Sequence, residues 1–288
     1  MVRRTRHDDW CCSEPWSSIP SAIHDVRLVV SDMDGTLLDG DGNVPAGFWP
    51  LLERMRARGI TFVPASGRQY ATLARMFPSA PAGATFIAEN GSLVVRDGAV
   101  FSATCMDEPT VTHVIHAVRH ARETANSLGL VVCGRRSAYI ERRDAGFIRE
   151  AETYYAELTT VEDLTTVTDD ILKLAIYDST DVEASARSIV APLASSHQMA
   201  VSGKQWIDIM APGTNKGRAV QELQRTLGVT AAQTVVFGDF LNDLEMFDRA
   251  DLSFAMDNAH PVLRSRARYI APTNKEHGVV TALSHLLN

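Results

Sequence analysis

The 288-residue sequence predicts an α/β fold: a doubly wound, Rossmann-like parallel sheet with a second, α+β domain inserted into it. Two observations predict it. Continuous apolar and β-branched runs alternate with helical patterns, and several of those runs end in polar turns crowded with ionisable side chains. Such runs fit buried parallel strands better than half-exposed ones. Ligands of this architecture bind beyond the carboxyl ends of the strands, so the loaded turns should gather along one edge.

In chain order, residues 1–21 are basic and then polar, with no apolar core. They read as a flexible extension and not as a secretory signal. Val26–Val30 forms the first strand and runs into "SDMDGTLLDGDGN". The pattern "FWPLLERMRARG" is a helix ending at Gly59, followed by a strand at Ile60–Val63 and the turn "PASGRQ". A helix "YATLARMF" stops before Pro78, and Thr85–Ala88 is a strand leading to "ENG". "SLVVRDGAVFSA" reads as a hairpin.

The order then changes. A helix "VTHVIHAVRHARETANSLG", a strand pair "LVVCGRRSAYIERR", a helix "FIREAETYYAEL", a strand "ILKLAIYD", a helix "VEASARSIVAPL" and a pair "QMAVSGKQWIDIM" follow one another. This set is placed at residues 107–210, inserted between core segments 22–106 and 211–288. The core resumes with a helix "KGRAVQELQRTLG" ending at Gly228, then a strand Thr234–Phe237 running into "GDFLND".

Composition narrows the function classes. A formal net charge of -7 argues against a nucleic-acid partner, and no apolar run approaches membrane-spanning length. The cysteines Cys11, Cys12, Cys105 and Cys133 lack C-x-x-C spacing, so neither a zinc site nor a disulfide framework is expected, and the working compartment reads as the cytoplasm.

Chemistry concentrates in the first turn. Asp32, Asp34, Asp39 and Asp41 crowd one short loop. Two carboxylates about 4 Å apart repel by roughly 1 kcal/mol in water and several-fold more in a partly dry site. A calcium loop fails in either register: Asn43 or Pro50 falls where the closing glutamate belongs. Asp39 and Asp41, among glycines, suit a solvated turn. Asp32 and Asp34 sit at the strand end, where a hard cation such as Mg2+ with phosphate oxygens is the natural partner.

"DMDGTLL" resembles the first motif, D-x-D-G-T, of the haloacid dehalogenase (HAD) superfamily of phosphotransferases. The resemblance implies that Asp32 is the nucleophile that takes the phosphoryl group. It implies that Asp34 is the general acid, then base, with its backbone carbonyl facing the metal. In "PASGRQ", Ser66 and the Gly67 N–H match the second motif, which holds phosphoryl oxygens. Ser66 and Gln69 also have capping-box spacing for a helix beginning near Gly67. Lys216 in "APGTNKGRAV" matches the third motif, which steadies nucleophile and phosphate, although a solvated lysine would fit as well. "GDFLND" resembles the fourth: Asp239 as a Mg2+ ligand, Asp243 in the metal shell, Asn242 on the phosphoryl group. Asn242 or Asp243 could instead cap the following helix.

The inserted segment resembles the type C2B cap of the Cof-like sugar phosphatases, as do "AENG" and the closing "NAHPVLRSRARYIAPTNKEHGVVTAL". The implied activity is Mg2+-dependent hydrolysis of a small phosphate monoester through an aspartyl-phosphate. The sole implied partner is a small phosphorylated metabolite, with the protein a monomer or homodimer. Hexose or pentose phosphates lead; the phosphoribitylamino-uracil intermediate of flavin biosynthesis and a catalytically weak phosphosugar sensor are the alternatives. A response-regulator receiver would share the aspartate, serine and lysine but is shorter, without an insertion or a second acid two residues on.

Secondary features carry weaker expectations. Arg135, Arg136, Arg142 and Arg143 could meet an anionic group of the substrate, although arginine pairs on hairpins are usually solvated. His113, His116 and His120 share the face opposite the stripe Val111, Val114, Ile115 and Val118, and should face solvent. Glu89 and Asn90 lie at a strand end and could reach the site.

Overall fold

The structure is a computed structural model and describes residues 13–19, 25–78, 84–123, 128–202 and 205–287. It divides into two compact units, Met1–Pro64 with Val220–Asn288, and Ala65–Ala219.

In the first unit, parallel strands stand in the order Tyr269–Ala271, Leu252–Met256, Thr234–Gly238 and Leu28–Asp32, with the strand Thr61–Ala65 next as far as Pro64. Leu28–Asp32 and Thr234–Gly238 are buried at every position, which explains why their sequences are continuous apolar runs instead of alternations. Phe237 stacks on Phe254 at 4.7 Å between ring centres, and Phe254 on Tyr269 at 5.2 Å. The helix Phe48–Ala57 buries Phe48, Leu51, Leu52 and Met55, a spacing that keeps one face apolar.

Of the extension expected to be flexible, residues 1–12, including Cys11 and Cys12, and residues 20 and 21 lie outside the described residues, as do residues 22–24 of the core segment. The described part packs. Glu14 and Pro15 pair in parallel with Tyr269 and Ile270 at the sheet edge, Trp16 meets the His285 ring edge-on at 5.4 Å, and Ile19 is buried. Proline is tolerated there because an edge strand needs only one side of its ladder.

In the second unit, Ala65 pairs in parallel with Ile87. The strands Thr85–Ala88, Leu93–Arg96 and Ala99–Ala103 then run antiparallel, the last two joined by Asp97 and Gly98, both at positive φ, as a tight hairpin requires. A six-stranded sheet follows, in the order Gln198–Ser202, Trp206–Met210, Ile171–Tyr177, Gly129–Gly134, Ala138–Ile140 and Leu158–Thr160. The short strand Leu158–Thr160, parallel to Ala138–Ile140, has no counterpart in the sequence reading. Three residues cannot display a periodicity.

Three helices of this unit start at aspartates. Asp107, Asp144 and Asp181 accept the backbone N–H of Thr110, Phe147 and Ala184 at 2.9, 3.0 and 3.1 Å. Val111, Val114, Ile115 and Val118 are buried in one apolar cluster with Leu174 and Ile176, while His113, His116 and His120 are exposed, as their helical phase predicts. Among the described residues no helix is long and apolar enough to cross a membrane.

Candidate active site

Within the first unit, two strand ends bring the expected acids together. Leu28–Asp32 and Thr234–Gly238 are neighbours in parallel register, Phe237 opposite Ser31, so Asp32 and Asp239 emerge side by side. Ligand atoms of Asp32, Asp239 and Asp243 all lie within 4.8 Å of one another. Asp32 is 6 % exposed and Asp243 fully buried. Asp243 Oδ2 accepts the backbone N–H of Asp239 at 3.0 Å and of Phe240 at 3.2 Å, which folds the turn back on itself and aims the acids inward. The Asp243 side chain does not cap the helix Leu244–Phe247 that follows it; its carboxylate reaches back to the turn instead.

The turn after Asp32 is shaped by Gly35. Asp34 (φ -74, ψ 121) and Gly35 (φ 77, ψ -2) occupy the two central positions of a type II turn, whose second position needs positive φ. A Cβ on Gly35 would also sit 2.2 Å from Asp239 Oδ2, so a side chain would evict the acid from its place. Leu38 N–H reaches back past the turn to the Met33 carbonyl at 2.9 Å, and Thr36 Oγ1 donates to Asp239 Oδ1 at 3.3 Å. Asn258 Nδ2 donates to the Gly35 carbonyl at 2.9 Å, and Asn274 Nδ2 to that of Leu38 at 2.9 Å. Thr36, Asn258 and Asn274 escape the sequence reading; only the general likeness of the closing segment hinted at the asparagines. The Asp34 side chain is exposed and is not one of the three clustered acids.

Asp39 and Asp41 form the solvated turn. Asp39 Oδ1 accepts the N–H of Asp41 and Asn43, at 2.9 and 3.0 Å, and the Asn43 bond leads in holding the Asp39 carboxyl below its ordinary range.

The second unit contains Ser66, Gly67 and Lys216. The helix expected near Gly67 begins instead at Tyr70, and the Ser66–Gln69 capping box does not form. Ser66 Oγ accepts the N–H of Arg68 at 3.1 Å, while the Gln69 amide turns away to bond both the carbonyl and the N–H of Glu157, at 3.0 and 2.8 Å. Through Ser66, Gly67, Arg68 and Gln69, only the Gly67 N–H has no protein acceptor assigned among the described residues. Asn90 N–H donates to the Ser66 carbonyl at 3.0 Å, and Glu89 N–H to that of Arg68 at 3.1 Å.

The "ENG" turn ties Ser66 to Lys216. Glu89, Asn90 and Gly91 are all left-handed (φ 49, 54 and 96), at a cost of about 1–2 kcal/mol for each non-glycine residue. A Cβ on Gly91 would sit 2.5 Å from the Asn215 carbonyl oxygen, so glycine is what lets this turn approach the Lys216 peptide. Asn215 Oδ1 caps the helix Lys216–Leu227 by accepting Arg218 N–H at 2.8 Å. Lys216 is fully buried, which excludes the solvated alternative for it.

One cluster was not foreseen. Lys173 Nζ lies 2.9 Å from Glu89 Oε2 and 3.3 Å from Asp208 Oδ2, and donates to the Gly67 carbonyl at 2.6 Å. Asn90 Nδ2 donates to Asp208 Oδ2 at 2.6 Å. All four side chains are buried. Burial opposes the Lys173 charge, but Asp208 and Glu89 outweigh it and hold the ammonium above the ordinary lysine range. The sequence signal was a single lysine inside the apolar run "ILKLAIY", a buried charge that must find a partner.

The hairpin arginines are occupied. Arg135 pairs with Asp170 at 2.9 Å, Arg136 with Asp169 at 3.3 Å, Arg142 with Asp144 at 2.7 Å, and Arg143 with Glu162.

The family model for haloacid dehalogenase-like hydrolases matches residues 29–283. The chain belongs to that family. It is 32 % identical over 266 residues to the 5-amino-6-(5-phospho-D-ribitylamino)uracil phosphatase YbjI of Escherichia coli K12, covering 91 % of this chain and 96 % of that one. It is 28 % identical over 240 residues to the HMP-PP phosphatase of Cronobacter sakazakii, covering 82 % and 86 %. The crystal structure of SMU.1108c from Streptococcus mutans UA159 superposes with a TM-score of 0.82 at 26 % identity, over 91 % of this chain and 99 % of that one. The protein is a HAD-family phosphatase, with the parallel-sheet core and cap of that family.

Proposed function

We propose that the protein hydrolyses the phosphate monoester of a small polyhydroxylated metabolite, a sugar phosphate first, through an aspartyl-phosphate on Asp32. The observation that carries this reading is the convergence of Asp32, Asp239 and Asp243 within 4.8 Å at the ends of two adjacent strands. Three hard oxygen donors, given room by the absent Cβ of Gly35, fit Mg2+ better than a softer metal. Mg2+ held by Asp32, Asp239 and the Asp34 carbonyl, with Asp243 in support, would offset charge on the transferring group.

In the proposed reaction, Asp32 attacks phosphorus while Asp34, exposed at the turn, gives its proton to the leaving alkoxide. Asp34 then takes a proton from the water that cleaves the aspartyl-phosphate. Ser66, the Gly67 N–H, Lys216 and Asn242 hold the phosphoryl oxygens, where most of the rate gain of phosphoryl transfer arises. Residues 107–210 act as the cap that excludes water and selects the leaving group.

A second substrate is favoured by the E. coli relative, whose name specifies a phosphorylated ribitylamino-uracil. Both substrates present a phosphate on a polyol chain. Phosphate release over a panel of hexose, pentose and ribityl phosphates, with and without Mg2+, separates them. Release from none of the monoesters in either condition would overturn the phosphatase mechanism for this site.

A further inference from the structure

Lys173 lies in the segment read as the cap, yet its ammonium touches the turn read as holding phosphate. Pairing across the six-stranded sheet sets Lys173 opposite Cys133, and Ala175 opposite Asp208, so Lys173, Cys133 and Asp208 project from one face. Leu174 and Ile176 project from the other face, into the apolar cluster with Val114 and Val118. The lysine is thus delivered by strand alternation to the side where the Glu89–Gly91 turn sits.

Its ammonium donates to the Gly67 carbonyl and to Asp208 Oδ2, and Glu89 Oε2 stands 2.9 Å away as an ion-pair partner. The Tyr155 ring lies 5.6 Å from Nζ and closes that side. Gly67 has the widest conformational choice of any residue type, and a Cβ there would press on the Asn90 side chain at 3.1 Å. A glycine whose orientation matters must therefore be fixed from outside. Fixing its carbonyl fixes the peptide to Arg68, whose N–H engages Ser66 Oγ.

We propose that Lys173 is a positioning residue for phosphoryl binding. Kept charged between Glu89 and Asp208, it pins the Gly67 carbonyl and so sets the Gly67 N–H and the Ser66 hydroxyl for a phosphoryl oxygen. The cap thereby serves the phosphate end of the substrate as well as the leaving group. This role rests on reading Ser66–Gly67 as the phosphate-binding turn, but the state of that turn is measurable without turnover.

The test compares Lys173→Met and Lys173→Arg with the wild type by steady-state kinetics, orthovanadate inhibition and the amide resonance of Gly67. Lys173→Met is expected to move the Gly67 resonance and weaken orthovanadate about tenfold or more, while the Mg2+ concentration for half-activation stays put. Lys173→Arg, which keeps the charge, is expected to recover part of the orthovanadate affinity. Should Lys173→Met fail to fold, the charge-neutral combination Lys173→Met, Glu89→Gln, Asp208→Asn carries the same readouts. A folded variant with Gly67 at its wild-type resonance and orthovanadate inhibition within twofold of wild type overturns the proposal. If the wild type releases phosphate from nothing and ignores orthovanadate, the phosphatase mechanism fails, and the Gly67 resonance alone still decides whether Lys173 positions the turn.

Discussion

Asp32, Asp239 and Asp243 in one unit gather three carboxylates within 4.8 Å, whereas Glu89 and Asp208 in the other share an ammonium, Lys173, at 2.9 and 3.3 Å. The first arrangement concentrates one sign of charge at strand ends; the second alternates signs. Like charges brought together raise the energy of a fold unless something arriving from outside relieves them, while an alternating set offsets its own charge. The contrast gives two buried charge clusters opposite responses to substitution. A cluster kept for chemistry should lose function and keep stability when an acid is neutralised. A cluster kept for position should lose stability first.

The largest effect is expected at Asp32. Asp32→Asn should lower kcat by about 10^4-fold or more while the folded state is unchanged or slightly stabilised, since one of three repelling charges is gone. Thermal unfolding alongside turnover checks both halves. A marked loss of stability would break the comparison, because Asp32 would then be structural. Addition of Mg2+ should raise the unfolding temperature of the wild type, by mass action worth about 2.7 kcal/mol at a hundredfold excess over Kd. Asp239→Asn should erase that gain.

Next in size is Asp208→Ala, which leaves Lys173 and Asn90 short of a buried partner. Removing one member of a buried ion pair costs about 3–5 kcal/mol, and denaturant unfolding should register a loss of that order. Mg2+ stabilisation should survive in this variant, which is the sharpest separation of the two clusters.

The two clusters also differed in how far the sequence disclosed them. Asp32 with Asp34, and Asp239 with Asn242 and Asp243, are each written within a few residues, because a turn at a strand end must present several groups at once. The four strand runs were legible as unbroken apolar stretches, and the helices Phe48–Ala57, Tyr70–Met76 and Lys216–Leu227 by their helical spacing. Lys173, Glu89 and Asp208 are spread over more than a hundred residues and meet only in the tertiary fold, so no local spacing announces them. The Ser66–Gln69 capping box failed likewise, since Gln69 finds better partners on Glu157, far away in sequence. Glu14–Pro15 was invisible because two residues carry no pattern.

A smaller effect tests the shape of the acid cluster and not its charge. Gly35→Ala forces a Cβ to within 2.2 Å of Asp239 Oδ2 and strains φ at 77. A stability loss of about 1–2 kcal/mol is expected from the backbone. The Mg2+ requirement should rise about tenfold as Asp239 is displaced. Mg2+ titration of activity separates the two; an unchanged half-activation point would mean that Asp239 is free to move without consequence.

The smallest effect probes a carboxylate with neither role. Asp144 caps the helix Ala145–Tyr154 through Phe147 N–H and pairs with Arg142, and the Arg142 bond leads in holding its carboxyl below the ordinary 3.8. A carboxyl depressed in the folded state stabilises above its unfolded pKa and loses that contribution as pH falls through the folded value. Asp144→Ala should therefore cost about 1 kcal/mol at neutral pH, typical of a lost helix cap. The gap between wild type and variant should hold from pH 7 to about pH 5 and shrink below about pH 4, as Asp144 takes up its proton. Turnover should be untouched throughout the range where both are folded. A gap that widened on acidification would reverse the sign assigned to this carboxyl and place Asp144 with the buried acids, Glu89 and Asp208, whose pKa burial raises.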